Sequence, residues 1–205
     1  DVNPETPYAE TILYKLHVRG FTVHASSGVS ARGTYAGVVE KIPYLKELGI
    51  TAVELMPVTE FDEIMMSSSG SGFHNAKQEP TGYVNYWGYG PSYLYAVKTA
   101  YASRETMSAE GEFKTLVKEL HKAGIECIPE MYFTGKELPG EILSVLRYWV
   151  EEYHVDGFHL TGFPDLSLAA EDPFLKRTKL FAENWNDVMN RRPKQGYVTP
   201  GDGTV

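Results

Sequence analysis

The side chains of this 205-residue chain that could do chemistry gather in and just after short apolar runs. Glu130 lies within Ile125–Phe133, His159 and Thr161 close the run that begins at Val155, and Glu183 ends the apolar part of TKLFAENW. Carboxylates in such places serve as proton donors and acceptors or stand as solvated rim charges. A threonine hydroxyl becomes a nucleophile only beside a base. Trp87 and Tyr89 in NYWGYG present aromatic faces on which a ligand could stack, whereas Tyr93, Tyr95 and Tyr101 read as packing at a rim. His17, His121 and His154 have no metal-ligand spacing and read as structural; His24 and His74 fall in loops. No metal is expected from this pattern. Glu54, inside Ile50–Val58, reads as a buried hydrogen-bonding group, and Glu60 as a rim charge. No GxGxxG or Walker-type glycine loop is present, which disfavours an enzyme built around a phosphate cradle.

The elements that must position these residues alternate. Ile142, Leu146, Trp149 and Tyr153 recur at helical spacing after Pro139, which suits a first helical position, and the pattern then gives way to a short strand, so Ile142–Gly162 is one helix–strand unit. Strands are expected near 12–20, 50–58, 125–133, 155–161 and 178–185. Helices are expected from Thr34 to Leu48 with a kink at Pro43, from about Ala109 to Ala123, and from Pro139 to Tyr153, with weak helix over 166–176. Residues 59–85, rich in serine and glycine, read as a flexible insertion. Strands alternating with helices predict an α/β chain with a parallel sheet in sequential order, joined by right-handed crossovers and flanked by helices. Periodicity leaves a barrel and an open doubly wound sheet as alternatives.

Composition bounds the rest. A hydrophobic content of 42% supports one core, and residues 1–205 read as one domain. A formal charge of −8, with Arg191, Arg192 and Lys194 as the one basic cluster, argues against a nucleic-acid partner. The single cysteine, Cys127, sits in an apolar run and reads as buried and inert. No run of about 18 apolar residues occurs, so no membrane partner is expected and the chain reads as soluble. The compartment stays open, with the cytoplasm favoured.

The stretches ILYKLHVRGFT, GTYAGVVEKIPYLKELGITAVELMPV, NYWGY and LRYWVEEYHVDGF, in that order, resemble the α-amylase superfamily of glycoside hydrolases. The resemblance is closest to the isoamylase, pullulanase and glycogen-debranching branch, and it covers most of residues 12–185. It implies a (β/α)8 TIM-type barrel, of which about five βα units are recognisable; 205 residues fall short of the roughly 250 of a typical barrel. The chain is then either a piece of a longer one or a naturally short form, and the missing C-terminal part or another chain covers the open edge.

The resemblance also implies hydrolysis of α-1,6 or α-1,4 glucosidic bonds in glycogen, starch or pullulan, with an α-glucan oligosaccharide or polysaccharide as partner. Retaining enzymes of this kind use two carboxyls about 5 Å apart. By the family's pattern Glu183 takes the acid/base position with Trp185 behind it, and Tyr89 the position of the ring that stacks under the sugar. The nucleophile position holds Thr161, and the arginine two residues before it is replaced by His159. Glu130 stands for a strand-three aspartate, while Thr134 and Gly135 replace an asparagine and a histidine. With these departures, and only Thr134–Leu138 where the family has a long insertion, the expectation is no calcium, no cofactor and no second domain at that point. The paired changes at Glu130 and His159 predict that these two side chains face each other. The two functional readings are a debranching-type glycoside hydrolase without the usual turnover, and a noncatalytic α-glucan-binding or scaffold domain derived from one.

Overall fold

A computed structural model of the chain describes residues 2–69, 77–103, 108–182 and 197–198. The first strand, β1 (Leu13–Leu16), is shorter than expected because His17 ends it and caps α1 (Val18–Thr22), its Nδ1 accepting from Gly20 N at 3.0 Å. Thr34 caps α2 (Tyr35–Glu40) through Gly37 N. A new helix, α3 (Ile42–Glu47), starts with Pro43 in its first turn, so the kink expected at that proline is a break between two short helices. Gly49, at φ 79°, turns the chain into β2 (Ala52–Leu55).

The segment expected to be a flexible insertion carries strands in its described parts: β3 (Thr59–Phe61), β4 (Ile64–Ser69) and β5 (Lys77–Val84). β4 and β5 form an antiparallel pair, and β3 pairs antiparallel with β6 (Ser92–Val97). Four elements read from the sequence follow: α4 (Ala109–Lys122), β7 (Glu126–Phe133), α5 (Pro139–Tyr153) and β8 (Gly157–Gly162). Two 3₁₀ turns, Ala169–Glu171 and Phe174–Arg177, stand where weak helix was expected. They lead to β9 (Lys179–Ala182) and β10 (Tyr197–Val198).

The main sheet runs β1-β2-β7-β8-β9-β10, and every neighbouring pair is parallel. The expected five strands are therefore adjacent in sequential order, with β10 added at the edge. Alternate residues of a strand point to opposite faces. Val53, Leu55, Cys127, Met131, Phe133, Phe158, Leu160, Leu180 and Ala182 join one core with Val38, Leu45, Phe113, Leu116, Ile142 and Trp149 of the helices. The residues between them, Glu54, Ile128, Glu130, Tyr132, His159 and Thr161, therefore lie on the other, inner face.

Trp149 ties α5 into this core. Its ring packs edge-on against Phe113 at 5.4 Å, and its Nε1 donates to the Leu94 carbonyl at 2.7 Å, joining α5 to β6. Trp149→Ala is expected to cost about 3–5 kcal/mol in urea unfolding, and Trp149→Phe, which keeps most of the ring but orphans the Leu94 carbonyl, about 1–3 kcal/mol. A cost under about 1 kcal/mol for the alanine variant would remove this ring from the core.

Candidate functional site

The C-terminal ends of β1, β2, β7 and β8 bring the inner-face polar residues together. Lys15 of β1 is in register with Glu54 of β2, and Glu130 of β7 with His159 of β8. Lys15 Nζ sits 2.9 Å from Glu54 Oε1 and 2.8 Å from Glu130 Oε2. His159 Nδ1 lies 2.7 Å from the same Glu54 oxygen. One atom each of Glu54, Glu130 and His159 falls within 4.8 Å of the other two.

This arrangement corrects the expected pairing. His159 is level with Glu130 in the sheet, but its hydrogen-bond partner is Glu54, across β7. Glu130 is held instead by the charge of Lys15. Its side chain is 1% exposed, and its Oε1 is buried without a hydrogen-bond partner. Glu54 is a buried hydrogen-bonding group, as the sequence suggested, and it is also the hub of the cluster.

Burial pushes the Glu54 carboxyl up, but the hydrogen bond and charge of His159, together with Lys15, more than offset it and hold it below its usual value of 4.5. Burial likewise opposes charge on Lys15, and the two carboxylates reverse that effect and hold its ammonium well above the usual lysine range.

Thr161, one pleat beyond His159, is buried, and its Oγ1 donates to the Met131 carbonyl at 3.4 Å. Among the described residues no imidazole or carboxylate is hydrogen-bonded to that hydroxyl. Gly162, the last residue of β8, follows at φ 80°, where a Cβ would meet the Phe133 carbonyl oxygen at 2.2 Å. Tyr132, in register with Thr161, meets Tyr89 edge-on at 5.9 Å. Tyr89 therefore contacts the residue that is level with Thr161 on the neighbouring strand. Trp87 is 53% exposed and packs edge-on against Tyr86 and His17 at 5.0 and 5.9 Å.

The turn that presents these two rings depends on residues the sequence reading passed over. Asn85 accepts from Gly88 N at 3.0 Å and donates to the Tyr89 carbonyl at 3.1 Å. Gly88, at φ 83°, is required because a Cβ there would lie 2.6 Å from Phe61 Cε1. An Asn three residues before a Gly, ahead of an aromatic, is a turn signal that could have been read.

His17 lies beneath the rings, stacked on Tyr86 at 4.3 Å. Because Nδ1 accepts from Gly20, Nε2 carries the proton and donates to the Tyr86 carbonyl at 2.8 Å. Burial, chiefly, lowers its basicity, and the role is structural, as expected. His121 is also structural, pairing through Nε2 with buried Asp156 at 2.9 Å. Glu183 and Trp185 lie outside the described residues, which reach Ala182 in β9.

The α-amylase catalytic-domain model matches residues 16–133. The glycogen operon protein GlgX homolog of Haemophilus influenzae is 33% identical over 249 residues, an alignment covering 91% of this chain and 36% of that protein. The chloroplastic isoamylase 3 of Oryza sativa subsp. japonica is 33% identical over 252 residues, covering 89% of this chain and 31% of that one. The chain spans about a third of the length of the curated relatives it matches. Among solved structures, a pullulanase from Paenibacillus barengoltzii in complex with maltohexaose and α-cyclodextrin superposes with a TM-score of 0.70 at 18% identity, over 97% of this chain and 40% of that one. A type I pullulanase from Bacillus subtilis complexed with maltose gives 0.67 at 22% identity, over 90% and 32%. These structures establish the fold, and the parallel sheet with its helices is a partial (β/α) barrel.

A carboxyl held low in the folded state contributes stability that is full above the unfolded value of 4.5 and is lost as the pH falls through the folded value. The stability difference between the wild-type chain and Glu54→Gln is therefore expected to be largest above about pH 5 and to shrink steadily on acidification. Unfolding free energies measured across that range test this, and a difference flat down to about pH 3 would contradict it.

Proposed function

The chain belongs to the α-amylase catalytic-domain family, in its glycogen-debranching, isoamylase and pullulanase branch, and from that premise we propose that it binds α-glucans without hydrolysing them at the rate of an ordinary debranching enzyme. Thr161 carries this reading. It stands where the family's nucleophile is expected, and its hydroxyl is buried against a backbone carbonyl with no base bonded to it. A glycosyl-enzyme intermediate cannot form there by the usual route, and the oxocarbenium-like transition state lacks the negative charge beneath it.

Glu130 is the nearest substitute carboxylate, and its surroundings argue against that role. Its side chain is buried and ion-paired with Lys15, whereas a catalytic carboxylate must reach water or the sugar. Glu183 stays the proposed acid/base position by resemblance, and an acid alone does not replace a missing nucleophile. Tyr89 and Trp87, with Trp185 by resemblance, form the proposed sugar-contacting surface. Tyr89 is supported by its edge-on contact with Tyr132, which is in register with Thr161, and its 38% exposure leaves ring surface for a ligand.

A reducing-sugar assay on pullulan, glycogen and amylose is expected to show turnover several orders of magnitude below that of a debranching enzyme. Maltooligosaccharide binding by calorimetry is expected to weaken at least about tenfold in Tyr89→Ala, about 1.4 kcal/mol. Turnover within about tenfold of an ordinary debranching enzyme, abolished by Glu183→Gln, would overturn the reading. Undetectable binding by the folded wild-type chain would remove the α-glucan itself.

A further inference from the structure

We propose that Glu54, Glu130 and His159 form a site for one divalent transition-metal ion of the borderline kind that accepts imidazole and carboxylate ligands together, such as Zn²⁺ or Co²⁺. The site does not depend on the α-glucan reading. Three adjacent strands supply it, and one ligand atom of each residue already lies within 4.8 Å of the other two. Metal–ligand distances of about 2.0–2.2 Å put two ligand atoms about 3–3.5 Å apart, so the Glu54–His159 contact of 2.7 Å opens slightly and the wider separations close.

Two independent features point to a cation. The first is Glu130, whose side chain is 1% exposed and whose Oε1 is buried with no hydrogen-bond partner. A buried carboxylate oxygen without a donor is costly, and an ion would satisfy it. The second is that a cation is already drawn to the place: the Lys15 ammonium bridges Glu54 and Glu130 at 2.9 and 2.8 Å.

Lys15 is the resident counter-cation and also the group able to leave. Its side chain is 39% exposed, and β1 is an edge strand of the described sheet, so the ammonium can withdraw to water. Two carboxylates and a divalent ion then sum to neutrality, and His159 exchanges its hydrogen bond to Glu54 for a bond to the metal. The sequence predicted no metal because spacing along the chain cannot join residues 54, 130 and 159. An ion here would lie on the same inner face as Thr161, one pleat from it.

The test is calorimetric titration of the whole chain with ZnCl₂, and with CoCl₂ while following visible absorption. One equivalent should bind, with affinity weakened at least about tenfold in Glu130→Gln and in His159→Ala and strengthened at least about tenfold in Lys15→Met, since loss of a ligand or of the competing ammonium changes the free energy by more than about 1.4 kcal/mol. The Co²⁺ spectrum should show a low-symmetry site with a nitrogen ligand, distinct from the hydrated ion. Circular dichroism establishes that each variant is folded. If Glu130→Gln or His159→Ala does not fold, Lys15→Met and the wild-type Co²⁺ spectrum still decide the matter. No binding by folded wild-type and Lys15→Met chains, or binding unaffected by all three substitutions, would overturn the proposal.

Discussion

Everything on the inner face of this sheet depends on how the Glu54 carboxylate is neutralised. A strand buried on both faces normally carries apolar residues throughout. β2 breaks that rule with one glutamate, and desolvation alone would drive its proton back on. Lys15 from the strand before and His159 from two strands beyond prevent this. The same ammonium holds Glu130, so β1, β2, β7 and β8 are cross-linked by charge at one level of the sheet. Any change in one member is felt by the other three, and their effects on stability should not add.

A second polar layer closes the opposite end of the strands and has a different purpose. Glu126 at the start of β7 pairs with Lys179 at the start of β9, and Thr6 N donates to Glu126 Oε1 at 2.9 Å. Asp156 accepts from Cys127 N at 2.8 Å and from Asn3 Nδ2 at 2.9 Å, and it also bonds His121. Tyr8 accepts from Leu180 N and its ring lies 5.9 Å from Phe181. The N-terminal segment thus caps the N-terminal ends of the strands. In barrel folds that end carries stability and the C-terminal end carries chemistry. The Glu130 oxygen without a hydrogen-bond partner belongs to the upper layer.

Much of the fold could be read from the sequence because its signals are local. The helical spacing of Ile142, Leu146, Trp149 and Tyr153 places α5, Gly49 and Gly124 end helices, and the apolar runs around β2, β7 and β8 fall within a few residues of the observed strands. β1 was overextended because ILYKLHVRGF stays apolar through a cap and a five-residue helix, where the His17 ring rather than a turn residue changes the backbone direction. The site was less legible. The family resemblance named Thr161, His159, Glu130 and Tyr89, but not who meets whom. Glu54 is in register with Ile128, two residues before Glu130, so contact with His159 arises from side-chain reach across β7 and has no signature in spacing. Lys15 was overlooked for the same reason.

The charge cluster is also hard to explain as scaffolding. Replacing a buried ion network with well-packed apolar residues is often neutral or stabilising, because the Coulombic gain barely exceeds the desolvation cost. The apolar alternative is in the molecule: on the outer side of the same strands, Val53, Leu55, Met131 and Leu160 achieve complete burial with no polar group. A barrel wall needing stability alone could fill the inner positions likewise. Four ionisable groups at the level just below Thr161 and the Tyr89 ring instead make a place where a polar or charged ligand exchanges contacts with side chains already desolvated and oriented. Preorganisation of this kind lowers the cost of binding. The cost is borne by the folded chain, as a buried carboxylate with an unmet lone pair, and a bound ligand is what would release it.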